Sequence, residues 1–103
     1  MYIQYHGFSL EAASRAYAFH VIDSAQETRE FTINVENSAF RILPFKFQDG
    51  PGICFGRLKQ ELDRETSEAP AKHHLRITPS DIQQYVEKTY PKHFKKWTAR
   101  VKP

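Results

Sequence analysis

A single cysteine in 103 residues excludes an internal disulfide and any multi-cysteine metal cluster within one chain. That scarcity suits a reducing compartment. Long apolar runs are missing too, and none approaches the roughly 20 residues needed to span a bilayer. The first residues, Met1-Tyr2-Ile3-Gln4-Tyr5-His6, contain no Lys or Arg and lead into no apolar stretch, unlike a secretory signal. A soluble, cytoplasmic protein is expected. Internal repetition is also absent, which argues against a solenoid. The sharpest absence concerns charge of one sign. From Lys88 to Pro103 there is no Asp or Glu, while Lys88, Lys92, Lys95, Lys96, Arg100 and Lys102 are basic. The chain carries a formal charge of +3 and this stretch carries +6, so the remainder carries −3. The basicity is local, laid on a mildly acidic body.

What is present describes a globule. Hydrophobic content of 40% and aromatic content of 14% provide for one packed core, and the length suits one domain. Three segments alternate with the period of a half-buried strand. In residues 1–8, Met1, Ile3 and Tyr5 oppose Tyr2, Gln4 and His6. In 15–22, Tyr17, Phe19 and Val21 share a face. In 30–36, Phe31, Ile33 and Val35 oppose Thr32, Asn34 and Glu36. Short polar links, such as Asp23 to Glu27, predict an antiparallel meander with one wet face.

The pattern then changes. Asn37 to Phe40 reads as a turn or one helical turn, and Ile42 to Phe47 as a short strand that Pro44 confines to an edge. Asp49-Gly50-Pro51-Gly52 predicts a helix start, and the helix should run to about Thr66. Its apolar stripe is Cys54, Phe55, Leu58 and Leu62, packed on Phe31, Ile33 and Val35, with Lys59, Glu61, Asp63 and Arg64 in water. After a polar link, His74 to Thr78 reads as a strand whose place in the sheet the pattern leaves open. Thr78-Pro79-Ser80-Asp81 then carries a cap, a first-turn proline and a favourable acid for a second helix. Ile82, Tyr85, Val86 and Tyr90 share one face of it, and Pro91 interrupts it. The expected fold is α+β: a two-layer sandwich in which two helices cover an antiparallel sheet of three to four strands. Residues 1–91 form the domain and 92–103 a basic, aromatic C-terminal segment.

Catalytic chemistry finds no nominee. Cys54 lies near a helix start, where a thiolate is favoured, and a small enzyme using Cys54 is the alternative that position allows. Its neighbours Ile53 and Phe55 point instead to a buried structural thiol. His73 and His74 are adjacent on a strand and point to opposite faces, so they cannot readily chelate one ion. His6 and His20 meet only if the strand register permits. The helix start at Asp49–Gly52 lacks the spacing of a phosphate loop. No metal site and no cofactor motif can be assigned.

The C-terminal segment is the remaining feature. Phe94, Trp97 and Val101 share one side of a helix, flanked by basic residues. The segment can dock on the core, serve as a partner-binding or dimer arm, or contact nucleic acid or an anionic surface by neutralising phosphates. Contacts in the last two cases would fall on Lys92, Lys95, Lys96, Trp97, Arg100 and Lys102. The run Phe47-Gln48-Asp49-Gly50-Pro51 through Ile53 to Leu62, with Ile77 to Tyr85, is similar to short bacterial proteins of uncharacterised function. The resemblance implies a bacterial, stand-alone domain and carries no activity. The expected function is binding, to a protein partner or a second copy, with nucleic acid as the alternative.

Overall fold

In the computed structural model, which describes residues 1–42 and 44–91, four strands and two helices form a two-layer α+β sandwich. β1 spans Tyr2–Leu10, β2 Ser14–Ile22, β3 Thr28–Glu36 and β4 His74–Arg76; α1 spans Gly50–Asp63 and α2 Pro79–Thr89. The sheet order is β1-β2-β3-β4. The first three strands form the expected meander, with Tyr5 opposite Phe19, and Phe19 opposite Phe31. β4 adds parallel to β3, with Leu75 beside Ile33. The sheet is therefore mixed.

Local chemistry sets the connections. Between β2 and β3, the Asp23 carboxylate accepts the amides of Ala25 (2.9 Å) and Glu27 (3.0 Å). Side-chain acceptance of this kind closes a turn without backbone partners. In β1, Gly7 adopts φ 101° at an irregularity between Tyr5 and Phe8. Two residues of β1 there, His6 and Gly7, face one of β2, Ala18, a bulge that only glycine enters without strain. The extra residue shifts the alternation by one. Phe8 therefore lies opposite Tyr17, on the same face as Tyr5, and His6 stays on the other face.

That first face carries the core. Tyr17, Phe19, Val21, Phe31, Ile33 and Val35 are buried beneath Cys54, Leu58 and Leu62 of α1. Phe55 departs from the expected stripe and is 43% exposed, while Ile53 is buried. The two lie on opposite flanks of α1, about 200° apart at roughly 100° per residue. α2 packs beside Ile53, where Asp81, Gln84 and Tyr85 line the same crevice. Among the described residues the Phe55 flank has no such neighbour. Glu61 also departs from the expected exposure. It accepts the Lys72 amide (3.0 Å) and pairs with Arg57 (3.3 Å). Glu65 pairs with Arg29 (2.7 Å) and accepts the Ala71 amide (2.8 Å). Two carboxylates thus tie the link after α1 to the helix and to β3.

The expected edge strand over Ile42–Phe47 does not form among the described residues. A 3-10 turn over Asn37–Arg41 is followed by another over Phe47–Asp49. Amides bond locally, Ile42 to Ala39 and Phe45 to Ile42. Pro44 has no N–H for a ladder, and burying Phe45 against Phe40 and Tyr85 favours a folded path over an extended one. α2 begins as its sequence indicates. The Asp81 amide donates to Thr78 Oγ1 (3.2 Å) and the Thr78 amide to Asp81 Oδ2 (2.9 Å), a reciprocal capping box.

At the start of α1 the fit is tight. A Cβ at Gly50 would collide with the Tyr17 hydroxyl. That hydroxyl is buried and has no hydrogen-bond partner among the described residues. Gly50→Ala should therefore lower unfolding free energy by about 1–3 kcal/mol through overpacking. Tyr17→Phe, which deletes an unpaired polar group, should be neutral or stabilising and should soften the Gly50→Ala loss. Equal losses in the two backgrounds would contradict this packing.

The two carboxylates give a second prediction. The Lys72 amide chiefly holds the Glu61 pKa below its ordinary value, and the Arg29 guanidinium chiefly does so for Glu65. A depressed folded-state pKa adds stability above the ordinary carboxylate value of about 4.3 and loses it as pH falls through the lowered value. The urea midpoint should therefore drop on acidification below that range. Glu65→Gln should be less stable at neutral pH and show a smaller drop. A parallel pH profile for the variant would refute the assignment.

Candidate interaction surface

β1 is nine residues long and forms one edge of the sheet. From Tyr2 to Leu10 it contains no Asp, Glu, Lys, Arg or Pro. Edge strands that remain single are usually short, charged, interrupted by proline or covered. Among the described residues β1 has none of these and carries only the Gly7 bulge, a further such device. Among the described residues nothing pairs with its outer backbone groups, which form a template for another strand.

The same strand carries an aromatic shelf. α1 covers the sheet over β2 and β3 with α2 packed against it, and the β1 side chains on that face extend past α1. Tyr5 packs on Phe19 (5.2 Å between ring centroids) and Phe8 on Tyr17 (5.5 Å), so each ring has one side on the core. The other side is open: Tyr5 is 40% exposed, Phe8 48% and Phe47 56%. Arg15 joins the shelf to the turn before α1. Its guanidinium lies 4.0 Å from the Phe47 ring centre, 4.5 Å from Phe8 and 5.5 Å from Phe40. This cation held among three rings fixes Phe8 relative to Phe47. The Tyr5 hydroxyl pKa is raised, first by burial, so the shelf stays neutral in ring charge at ordinary pH.

Asp49 sits behind the shelf and fixes its frame. Its carboxylate, 7% exposed, accepts the Lys46 amide (2.9 Å), the Tyr85 hydroxyl (3.1 Å) and the Tyr90 hydroxyl (2.9 Å to each oxygen). Burial raises the Tyr85 pKa first, and the bond to Asp49 does so first for Tyr90. Both phenols remain donors, and the buried carboxylate is satisfied. Its role is structural.

The opposite face of the sheet is polar. His6 and His20 do meet, stacked with 3.8 Å between centroids, and His20 lies 3.4 Å from Glu30. The register that sets Gln4 opposite His20 makes His6 its diagonal neighbour on the same face. Among the described residues no group of three or more His, Cys, Asp or Glu is placed to hold a metal ion. His73 turns away from His74: it stacks on Phe31 (4.6 Å) and its Nδ1 contacts the Glu30 carbonyl oxygen at 2.8 Å. An open polar recess at one end of this face is bordered by Ser14, Asn34, Asn37, Arg41 and Arg76. Glu36 engages the Arg76 guanidinium there at 2.7 Å.

Cys54 is fully buried in the core. Burial pushes its thiol pKa strongly upward, which disfavours the thiolate at ordinary pH. The sequence-predicted contact residues Lys92, Lys95, Lys96, Trp97, Arg100 and Lys102 lie outside the described residues, as do Phe94 and Val101. Sequence reading missed the shelf. Tyr5 and Phe8 differ by three positions, a spacing that simple alternation assigns to opposite faces, and Gly7 was the available signal. Among the described residues no helix is long and apolar enough to cross a membrane. Comparisons with protein-family models, curated proteins and solved structures found no match.

The burial of Cys54 is checked by thiol labelling. Native protein should react with a thiol reagent far more slowly than urea-unfolded protein. Equal rates would place the thiol at the surface and return it to consideration as a nucleophile.

Proposed function

We propose that this domain is a protein-interaction module that binds an extended polypeptide strand along β1. The observation that carries the reading is the coincidence of an uncharged nine-residue edge with the Tyr5–Phe8–Phe47 shelf on the same strand border. Strand addition uses two kinds of contact. Main-chain bonds along an edge supply affinity, and alternate side chains of the guest seat against the host surface. β1 offers both, and the exposed rings contribute apolar area that a soluble domain rarely leaves open without use. Arg15 adds a guanidinium for a carbonyl or carboxylate of the guest at the shelf's far end.

The probe is a synthetic peptide with the sequence of Tyr2–Leu10, extended by terminal lysines for solubility. It is titrated at dilutions where light scattering shows the chain to be monomeric. Saturable binding is expected. Phe8→Lys should weaken it about tenfold or more, a loss of at least about 1.4 kcal/mol, and His74→Lys on β4 should leave it unchanged. Absence of saturable binding, or equal binding by the Phe8→Lys variant, would overturn the proposal.

A further inference from the structure

We infer that the strand lying on β1 is β1 of a second copy of this chain, giving a twofold dimer with one continuous eight-stranded sheet. The inference rests on the docking reading above and names its occupant. A twofold axis perpendicular to the sheet sets β1 antiparallel to its copy and keeps all helices on one side. The two aromatic shelves then abut across the axis, each completing the cover the other lacks.

Charge favours this occupant. Neutrality from Tyr2 to Leu10 means that two identical strands meet without like-charge repulsion, the usual obstacle to self-pairing of an edge. Arg15 pairs with Leu10 in the β1–β2 register, at one end of β1. An antiparallel arrangement sends the two Arg15 side chains to opposite ends of the joint. A charged partner strand would find no complementary charge on β1 itself to select it, since Arg15 stands on β2 and at one end only.

Area agrees. Tyr2, Tyr5, Phe8 and Phe47 are 40–56% exposed, which leaves on the order of 400 Å² of ring surface per copy. The main-chain edge of nine residues and the side chains of Met1 and Leu10 add to it. The total approaches the ~800 Å² per partner of a standard interface. Closed twofold association is also the commonest form among soluble oligomers.

The test uses the full chain in sedimentation equilibrium from low to high micromolar concentration. Wild type should reach twice the chain mass. The double variant Tyr2→Lys, Leu10→Lys changes side chains that are 55% and 73% exposed, so at dilutions where both chains are monomeric its thermal midpoint should match wild type. Its dissociation constant should rise about tenfold or more from charge introduced along the joint. Should that variant not fold, amide exchange of the wild type decides. Protection of β1 that grows with concentration supports the dimer, and a dimer whose β1 exchange is independent of concentration overturns it. A dimer unaffected by the lysines, or one lost only with Phe94→Ser and Trp97→Ser, overturns it by placing the contact elsewhere. A wild-type monomer at high micromolar concentration also overturns it. If that monomer still binds the strand peptide, the docking reading stands alone. If it binds neither, both fail.

Discussion

The Asp49 carboxylate is the point at which the helical layer is joined. It receives a backbone amide from Lys46 and hydroxyls from Tyr85 and Tyr90, so it connects the 3-10 turn before α1 to the body and end of α2. A buried carboxylate with fewer donors would be strongly destabilising. Its placement next to Gly50 sets where α1 begins, hard against Tyr17. Because α1 begins there and α2 is tied to it, α1 lies over β2 and β3 with α2 at its flank. The uncovered β1 side is a result of that joint.

The same geometry accounts for the two unlike faces of the sheet. The helix-side face runs from a dry core at Phe31 and Ile33 to open rings at Tyr5 and Phe8 within two strand spacings. The far face is mostly polar, although Tyr2, Ala16, Ala18 and Ile22 also lie on it, and its polar contacts include His20 with Glu30, and Arg76 with Glu36. Surface pairs of this kind contribute little to stability. Their effect is to keep that face wet, which leaves the aromatic border as the apolar ground near the β1 edge.

Much of this fold was legible in the sequence, for physical reasons. β2 and β3 alternate cleanly because one face is buried, and α2 announces itself through Thr78 and Asp81 because capping is a local interaction. Cys54 reads as buried from its apolar neighbours. The misses share a cause, since each depends on partners distant in sequence. Phe55 is exposed because α2 lies on the other flank of α1. Glu61 is drawn inward by an amide eleven residues away. The path after Ile42 folds because Phe45 is wanted in the core. The parallel placement of β4 follows from the length of chain between β3 and it, not from its three residues. The surface on β1 escaped notice because a glycine bulge shifts the alternation by one residue. The functional reading taken from the sequence alone looked to the basic C-terminal residues, where composition was most biased.

The brevity of β4 has a consequence for growth. At that margin the sheet ends in three residues, with the charged Arg76 at its close, and so presents too little edge to seed another ladder. Among the described residues β1 is the one long strand at a border of the sheet. If copies pair through β1 as inferred above, both long borders are used at once and the outer margins that remain are the short β4 strands. Pairing of that kind stops at two copies without any gatekeeping charge on β1.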